Sequence, residues 1–327
     1  MEHIATLPSD QRAELFRETA ARRIMSEAVV EKDFWVCWAL GRIFGDAELS
    51  TKVLFKGGTS LSKVFKLIER FSEDIDLILD WREVTTDDPE SKRSRSKQDQ
   101  FNKQIQIDAQ KYLRHTLLPK IRRLLGGTVR TEIADDDPNV ITVGYSEAFS
   151  TQYIRPEIRL EIGPLAIWIP NAEFSISPYC AEEFPALFSQ PTCRVKSIKA
   201  ERTFWEKVTI LHHEGHRPVG SPQPTRYSRH YYDLSCISSS MVKAEALKDL
   251  ALLQSVVKSK ERFYPRGWAR YDLAQPGTIK LMPPAHVLPA LKRDYEQMRI
   301  MIYGTQPPFD EMMANIKSLE SEINALQ

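Results

Sequence analysis

Residues 53–81 read VLFKGGTSLSKVFKLIERFSEDIDLILDW, and the rest of the chain can be read outward from them. Apolar residues 53–55 lead into Gly57 and Gly58, followed by the hydroxyl residues Thr59 and Ser60. Leu61, Val64, Phe65 and Ile68 then recur at helical spacing. A second apolar run, residues 75–79, carries Asp74 and Asp76 two positions apart. The pattern predicts a strand, a tight glycine turn, a short helix and a second strand.

Two carboxylates at i and i+2 of a strand project from one face, because strand side chains alternate. Side by side they repel unless a cation sits between them, and hard oxygen donors suit Mg²⁺ or Mn²⁺. Glycines let backbone approach a ligand closely, and N–H groups opening a helix favour an anion. A glycine pair alone is usually a turn, and an isolated D-x-D is usually a solvated edge strand. Joined by one helix, with apolar residues around the acids, they describe a polyphosphate site with a divalent cation.

The strings FKGGTSLSKVF and RFSEDIDL, with V-E-K-D-F-W at residues 30–35, resemble the AbiEii/AbiGii toxin family. That family is a branch of the DNA polymerase β-like nucleotidyltransferase superfamily, in which a glycine turn precedes a D-x-D or D-x-E pair. The resemblance implies that Gly57, Gly58, Thr59 and Ser60 hold the phosphates of an NTP. It implies that Asp74 and Asp76 bind metal with a third carboxylate on a neighbouring strand. In PEIRLEIG (residues 156–163), Ile158, Leu160 and Ile162 face the core, so Glu157, Arg159 and Glu161 share the other face. Glu161 is the expected third metal ligand and Glu157 the reserve; Asp135, Asp136 and Asp137 form a weaker rival in a Pro-bounded turn. Arg70 and Ser72, around the S-x-D-x-D string, join the expected phosphate contacts. Glu31, Lys32 and Asp33 either line the cleft or, as the preferred reading, orient their helix against the glycine turn.

Composition excludes several classes. With 45 Lys+Arg against 44 Asp+Glu in 327 residues, the chain is no bulk polycation, so nucleic-acid contact needs a local basic surface. Cys37, Cys180, Cys193 and Cys236 are scattered without a C-x-x-C pair, the pattern of buried thiols in a reducing compartment. The opening MEHIATLPSDQ lacks a signal pattern, and the apolar patch at residues 34–44 is interrupted by Arg42 and too short to span a bilayer. A cytoplasmic protein without membrane contact is the expectation.

In order, residues 8–44 read as helices, and a polar loop with Lys92, Arg93, Arg95 and Lys97 leads into a helix to about Leu125. Ile107, Tyr112, Leu117 and Ile121 are expected to face inward there. Residues 129–133, 140–145 and 153–162 read as strands. Residues 197–213, SIKAERTFWEKVTILHH, read as a helix with Lys207 beside its apolar stripe. A lysine so placed can simply snorkel; the resemblance implies that it faces the nucleotide. Residues 215–224 suggest a mobile loop. His212, His213, Glu214 and His216 fail the H-E-x-x-H zinc pattern, because Arg217 stands at its last position. In RYSRHYYDL, Arg226, Arg229, His230 and Asp233 fall on one helical face. By resemblance Asp233 shapes the site, orienting Lys207 or Arg229, and Arg229 joins the phosphate contacts. The end of the chain, with RDYEQM and MIYGTQPPFDEM, resembles the family's C-terminal region and offers Arg293, Asp294 and Tyr295 as acceptor-side contacts.

The expected fold is α+β: a nucleotidyltransferase-like mixed sheet flanked by helices, with a mostly helical C-terminal half. Residues 1–195 are expected to hold the N-terminal helices and core sheet, and residues 196–327 to complete the cleft. The implied activity is Mg²⁺- or Mn²⁺-dependent transfer of a nucleotide from an NTP to an RNA (tRNA-like) or protein acceptor, releasing pyrophosphate. The resemblance further implies a toxin of a toxin–antitoxin or phage-defence pair, with its antitoxin encoded alongside. An NTP-binding module without turnover, a kinase-like phosphotransferase and a D-x-D sugar transferase are the alternatives.

Overall fold

The computed structural model describes residues 1–72, 74–150 and 154–326. The chain divides into two compact units: Met1–Val64 with Phe71–Ile198, and Phe65–Arg70 with Lys199–Gln327.

The first unit is built on a seven-stranded mixed sheet in the order β3-β4-β5-β2-β1-β7-β6. Its strands are β1 (Val53–Lys56), β2 (Asp74–Leu79), β3 (Arg130–Ile133), β4 (Val140–Gly144), β5 (Glu157–Gly163), β6 (Asn171–Ile176) and β7 (Cys193–Ile198). β2 runs antiparallel to β1 and parallel to β5, and β1 runs parallel to β7. Alternation divides the sheet into two faces. Val53, Phe55, Ile75, Leu77, Leu79, Ile158, Leu160 and Ile162 enter the main core. They share that core with Phe34, Trp35, Trp38 and Leu40 of the helix Glu27–Gly45. On the opposite face Leu54, Ile78 and Ile198 form a small apolar cluster with Ala166 and Trp168.

The charged opening of the helix Glu27–Gly45 is used internally. Glu31 accepts hydrogen bonds from the Ala148 and Phe149 amides (2.9 and 3.1 Å). Asp33 accepts from the Tyr179 amide (2.7 Å) and pairs with Lys63 at 2.6 Å, both side chains 5% exposed. Lys63 ends the short helix Gly57–Lys63 that follows the glycine turn and lies over the Tyr179 ring. Asp33 thus ties the two helices together. All four cysteines are unpaired thiols, and burial raises the pKa of each.

The second unit is helical. Residues 65–70, whose apolar spacing suggested more helix, leave helical geometry after Lys63, and Lys66 adopts φ +52°. Arg70 bridges to Ile302, and the Tyr303 amide donates to the Glu69 carbonyl at 3.0 Å. The Glu69 carboxylate accepts from the Thr305 amide (3.0 Å), filling space that a side chain on Gly304 would need. These partners, distant in sequence, override local helical periodicity. The segment 215–224 is also held: Arg217 makes a bidentate pair with buried Glu214 (2.7 Å each) and donates to Ser221 and the Pro222 carbonyl. The expected mobile loop is a clamped one.

Other expectations need correction. Residues 197–198 end β7, where Ser197 pairs with Phe55, and the helix begins at Ala200. Strands β6 and β7 were not anticipated, and the run from Tyr153 begins outside the described residues. Ile107 faces solvent; Ile105 and Ala109 turn inward. Arg226 precedes the helix Ser228–Ser238 and has φ +62°. Asp294 caps that helix by accepting from the Arg226 and Ser228 amides, and buried Tyr295 donates to the Pro307 carbonyl. Both are supports within the second unit. Among the described residues, no helix is long and apolar enough to cross a membrane.

Two stability predictions follow from these contacts. Lys63→Met should cost about 3–5 kcal/mol in denaturant unfolding, and adding Asp33→Leu should recover much of it, because the single change strands a buried charge. A double variant as unstable as the single would show that the pair's worth lies in its charges. Burial holds His213 and His216 at about 4. Between the ordinary histidine value and about 4 the unfolded chain therefore binds protons at these two rings that the folded one refuses, so their contribution lowers stability as the pH is lowered through that window. Unfolding midpoints that stay flat from pH 7 to 4.5 would contradict this.

Candidate active site

The sequence-predicted residues gather into two constellations, one in each unit. The first lies on the β1-β2-β5 face opposite the main core. The pairing places Lys56 beside Asp76, Asp76 beside Glu161, and Asp74 beside Arg159. Register partners on adjacent strands share a face, so Asp74, Asp76 and Glu161 share one, as alternation requires.

The glycine turn meets this face directly. Gly57 has φ +83°, and a Cβ built on it would lie 1.8 Å from Asp76 Oδ2 and 2.6 Å from Asp76 Cγ. Only glycine permits both that backbone conformation and that approach. Thr59 Oγ1 donates to the Asp74 carbonyl, and Ser60 Oγ donates to the Gly57 carbonyl at 2.8 Å. Both hydroxyls are buried and spent on holding the turn to β2. What this stretch can still offer a ligand is its backbone.

Arg159, to which the sequence reading assigned no role, occupies the same face. Its Nη2 donates to Asp136 at 3.0 Å, while Nε stands 3.9 Å from Asp74 Oδ1 and Nη1 3.9 Å from Glu157. The signal was present in the alternation of Glu157, Arg159 and Glu161, but the partner Asp136 comes from a different turn. Asp136, the rival metal ligand, is thereby a partner of Arg159. The carboxylates do not form a closed cage: among the described residues no three His, Cys, Asp or Glu side chains gather tightly enough to hold a metal ion. The donor chemistry does fit a hard divalent cation, since three carboxylates share one face and Asp76 is cradled by Gly57.

The second constellation is a buried charge network on the helices Ala200–Gly215 and Ser228–Ser238. Asp233, fully buried, accepts from Arg70 Nε (2.6 Å) and Nη2 (2.9 Å) and from Lys207 Nζ (2.7 Å). Burial alone would raise the Asp233 pKa, but the Arg70 and Lys207 charges outweigh it and hold the carboxyl well below its ordinary range. Burial lowers the Lys207 pKa against the pull of Asp233. Asp233 thus holds Lys207 and also anchors Arg70. Lys207 Nζ also meets His230 Nδ1 at 3.1 Å, a contact that sequence spacing placed only on the right helical face. Arg229 is half-buried and has no hydrogen-bond or ion-pair partner among the described residues. Ser72 lies in the first unit, half-buried, just before β2.

Comparison with known proteins places these features in a family. MenT4, a nucleotidyltransferase toxin of Mycobacterium tuberculosis H37Rv, matches over 95% of this chain and 99% of its own. Its identity is 14% and its TM-score 0.45, a likeness too loose to carry an argument. No match was found among curated proteins. A family profile described as "Nucleotidyl transferase AbiEii toxin, Type IV TA system" matches residues 38–315, spanning the glycine turn, the D-x-D strand, Lys207 and Asp233. A match over that much of the sequence settles membership: the chain belongs to the AbiEii family of nucleotidyltransferase toxins from type IV toxin–antitoxin systems.

Proposed function

We propose that the protein transfers a nucleotidyl group from an NTP to a hydroxyl of an RNA (tRNA-like) or protein acceptor. The acceptor oxygen attacks the α-phosphorus, the bond to the bridging β-phosphate oxygen breaks, pyrophosphate leaves, and the hydroxyl proton passes to solvent. The observation that carries this reading is the Asp76 carboxylate lying against Gly57, with Asp74 and Glu161 on the same face. In it a turn of bare glycine backbone adjoins hard oxygen donors.

Asp74, Asp76 and Glu161 would hold Mg²⁺ or Mn²⁺, which when bound neutralises phosphate charge and lowers the pKa of the attacking hydroxyl. The backbone of Gly57, Gly58, Thr59 and Ser60 receives phosphate oxygens, with Ser72, just before β2, as a further phosphate contact. Lys207 and Arg229 are the cations of the second unit available to phosphate charge. Asp233 and Arg70 position that lysine. Growth inhibition through the acceptor, relieved by a cognate antitoxin, follows from the family's two-component organisation and suits abortive phage defence. Reduced thiols and an RNA acceptor fit action in the cytoplasm.

Incubation with α-labelled and γ-labelled NTP, total RNA and Mg²⁺ tests the assignment. Label from the α position on RNA or protein is the expected outcome. Label from the γ position alone would make the protein a kinase-like phosphotransferase, and no transfer would leave a binding module. Asp74→Ala and Asp76→Ala should each lower α-label transfer at least about 100-fold, the scale expected for electrostatic groups at the reacting centre. Either variant remaining as toxic as the parent on expression would remove the acid face from the site. Gly57→Ala should match Asp76→Ala in activity, since its Cβ displaces the carboxylate. Retention of parental activity would show that the contact is incidental.

A further inference from the structure

The contact between Lys207 and His230 has a consequence for the imidazole's other nitrogen. An ammonium has only donors, so His230 Nδ1 at 3.1 Å from Lys207 Nζ must accept, and the ring must be neutral with its proton on Nε2. Burial, with the Lys207 and Arg229 charges, pushes the His230 pKa well below its ordinary value. That agrees with the tautomer the geometry demands. Tyr227 meets the ring edge-on at a centroid distance of 5.0 Å, fixing its plane. Nε2 has no hydrogen-bond partner among the described residues, and the side chain is half-buried. Arg70, Lys207 and Arg229 act on the ring as positive charges and Asp233 as a negative one.

We infer that His230 is an anion-binding residue, donating Nε2–H to a phosphate oxygen while Lys207 locks its tautomer through Nδ1. A neutral donor suits this place. A fourth cation would be costly beside three others, whereas an imidazole held in one tautomer adds a directed hydrogen bond without charge. The ligand class, a phosphate oxygen, rests on the nucleotidyl-transfer reading. The oxygen can come from the triphosphate or from the backbone of an RNA acceptor, and the two are separable by experiment.

Two isosteric variants divide the ring's functions: Asn reproduces Nδ1 and Gln reproduces Nε2. Calorimetric titration of the full chain with inorganic tripolyphosphate, and separately with an RNA oligonucleotide in the absence of NTP, reads the contact directly. His230→Asn should weaken at least one of these ligands by about tenfold or more, the worth of one hydrogen bond to a charged oxygen. His230→Gln should stay within about threefold of the parent because its amide still donates. Weakening of tripolyphosphate alone assigns the contact to the nucleotide; weakening of RNA alone assigns it to the acceptor. Parental affinity of His230→Asn for both ligands would overturn the inference, as would a parent that binds neither. If the variants behave as expected while the parent transfers no α-label, the anion site stands and the nucleotidyl-transfer reading fails.

Discussion

The first unit depends on a single close approach, the Asp76 carboxylate against the Gly57 backbone. It requires β1 and β2 to pair so that Lys56 lies beside Asp76, and it leaves no room for a side chain at residue 57. It also sets the direction of the short helix that follows, whose Thr59 and Ser60 hydroxyls are consumed in fastening the turn. Once the antiparallel pair is in register, the parallel neighbour β5 brings Glu161 beside Asp76. A chemical face is thus assembled from backbone hydrogen bonding before any ligand is considered.

The second organising device is the buried ion pair, which serves different ends among the described residues. Asp33 with Lys63 joins two helices of the first unit, and Glu214 with Arg217 clamps a Pro/Gly-rich loop. Arg70 with Asp233 and Lys207 draws an extended segment onto the helices of the second unit. Such pairs add little net stability over apolar packing, because desolvation offsets attraction. They specify geometry instead, since each carboxylate accepts only from donors at the right place. Asp233 receives three charge-assisted hydrogen bonds, two from Arg70 and one from Lys207, which stand in separate stretches of chain.

Charge on the acid face is balanced locally as well. Arg159 lies among Asp74, Asp136 and Glu157, and Lys56 is the register neighbour of Asp76. The protein therefore presents its carboxylates partly neutralised by its own cations. A metal–nucleotide complex of the kind proposed would compete with those contacts.

By itself the sequence determined what periodicity and residue chemistry dictate. Alternation in DIDLIL placed two acids on one face and three aliphatics on the other. The alternation in EIRLEIG did the same for Glu161, and the glycine pair marked where backbone had to stay bare. Helical spacing likewise set Lys207, His230 and Asp233 on usable faces. Only the tertiary structure decided which faces met: that residues 65–70 abandon helix to pair with residues 302–305, that Asp136 claims Arg159, and that Lys207 divides its protons between Asp233 and His230. Local preferences are worth tenths of a kilocalorie per residue, whereas a buried carboxylate left without donors costs several. Where the two conflict, the through-space partner wins, and its identity is not written in the neighbouring sequence.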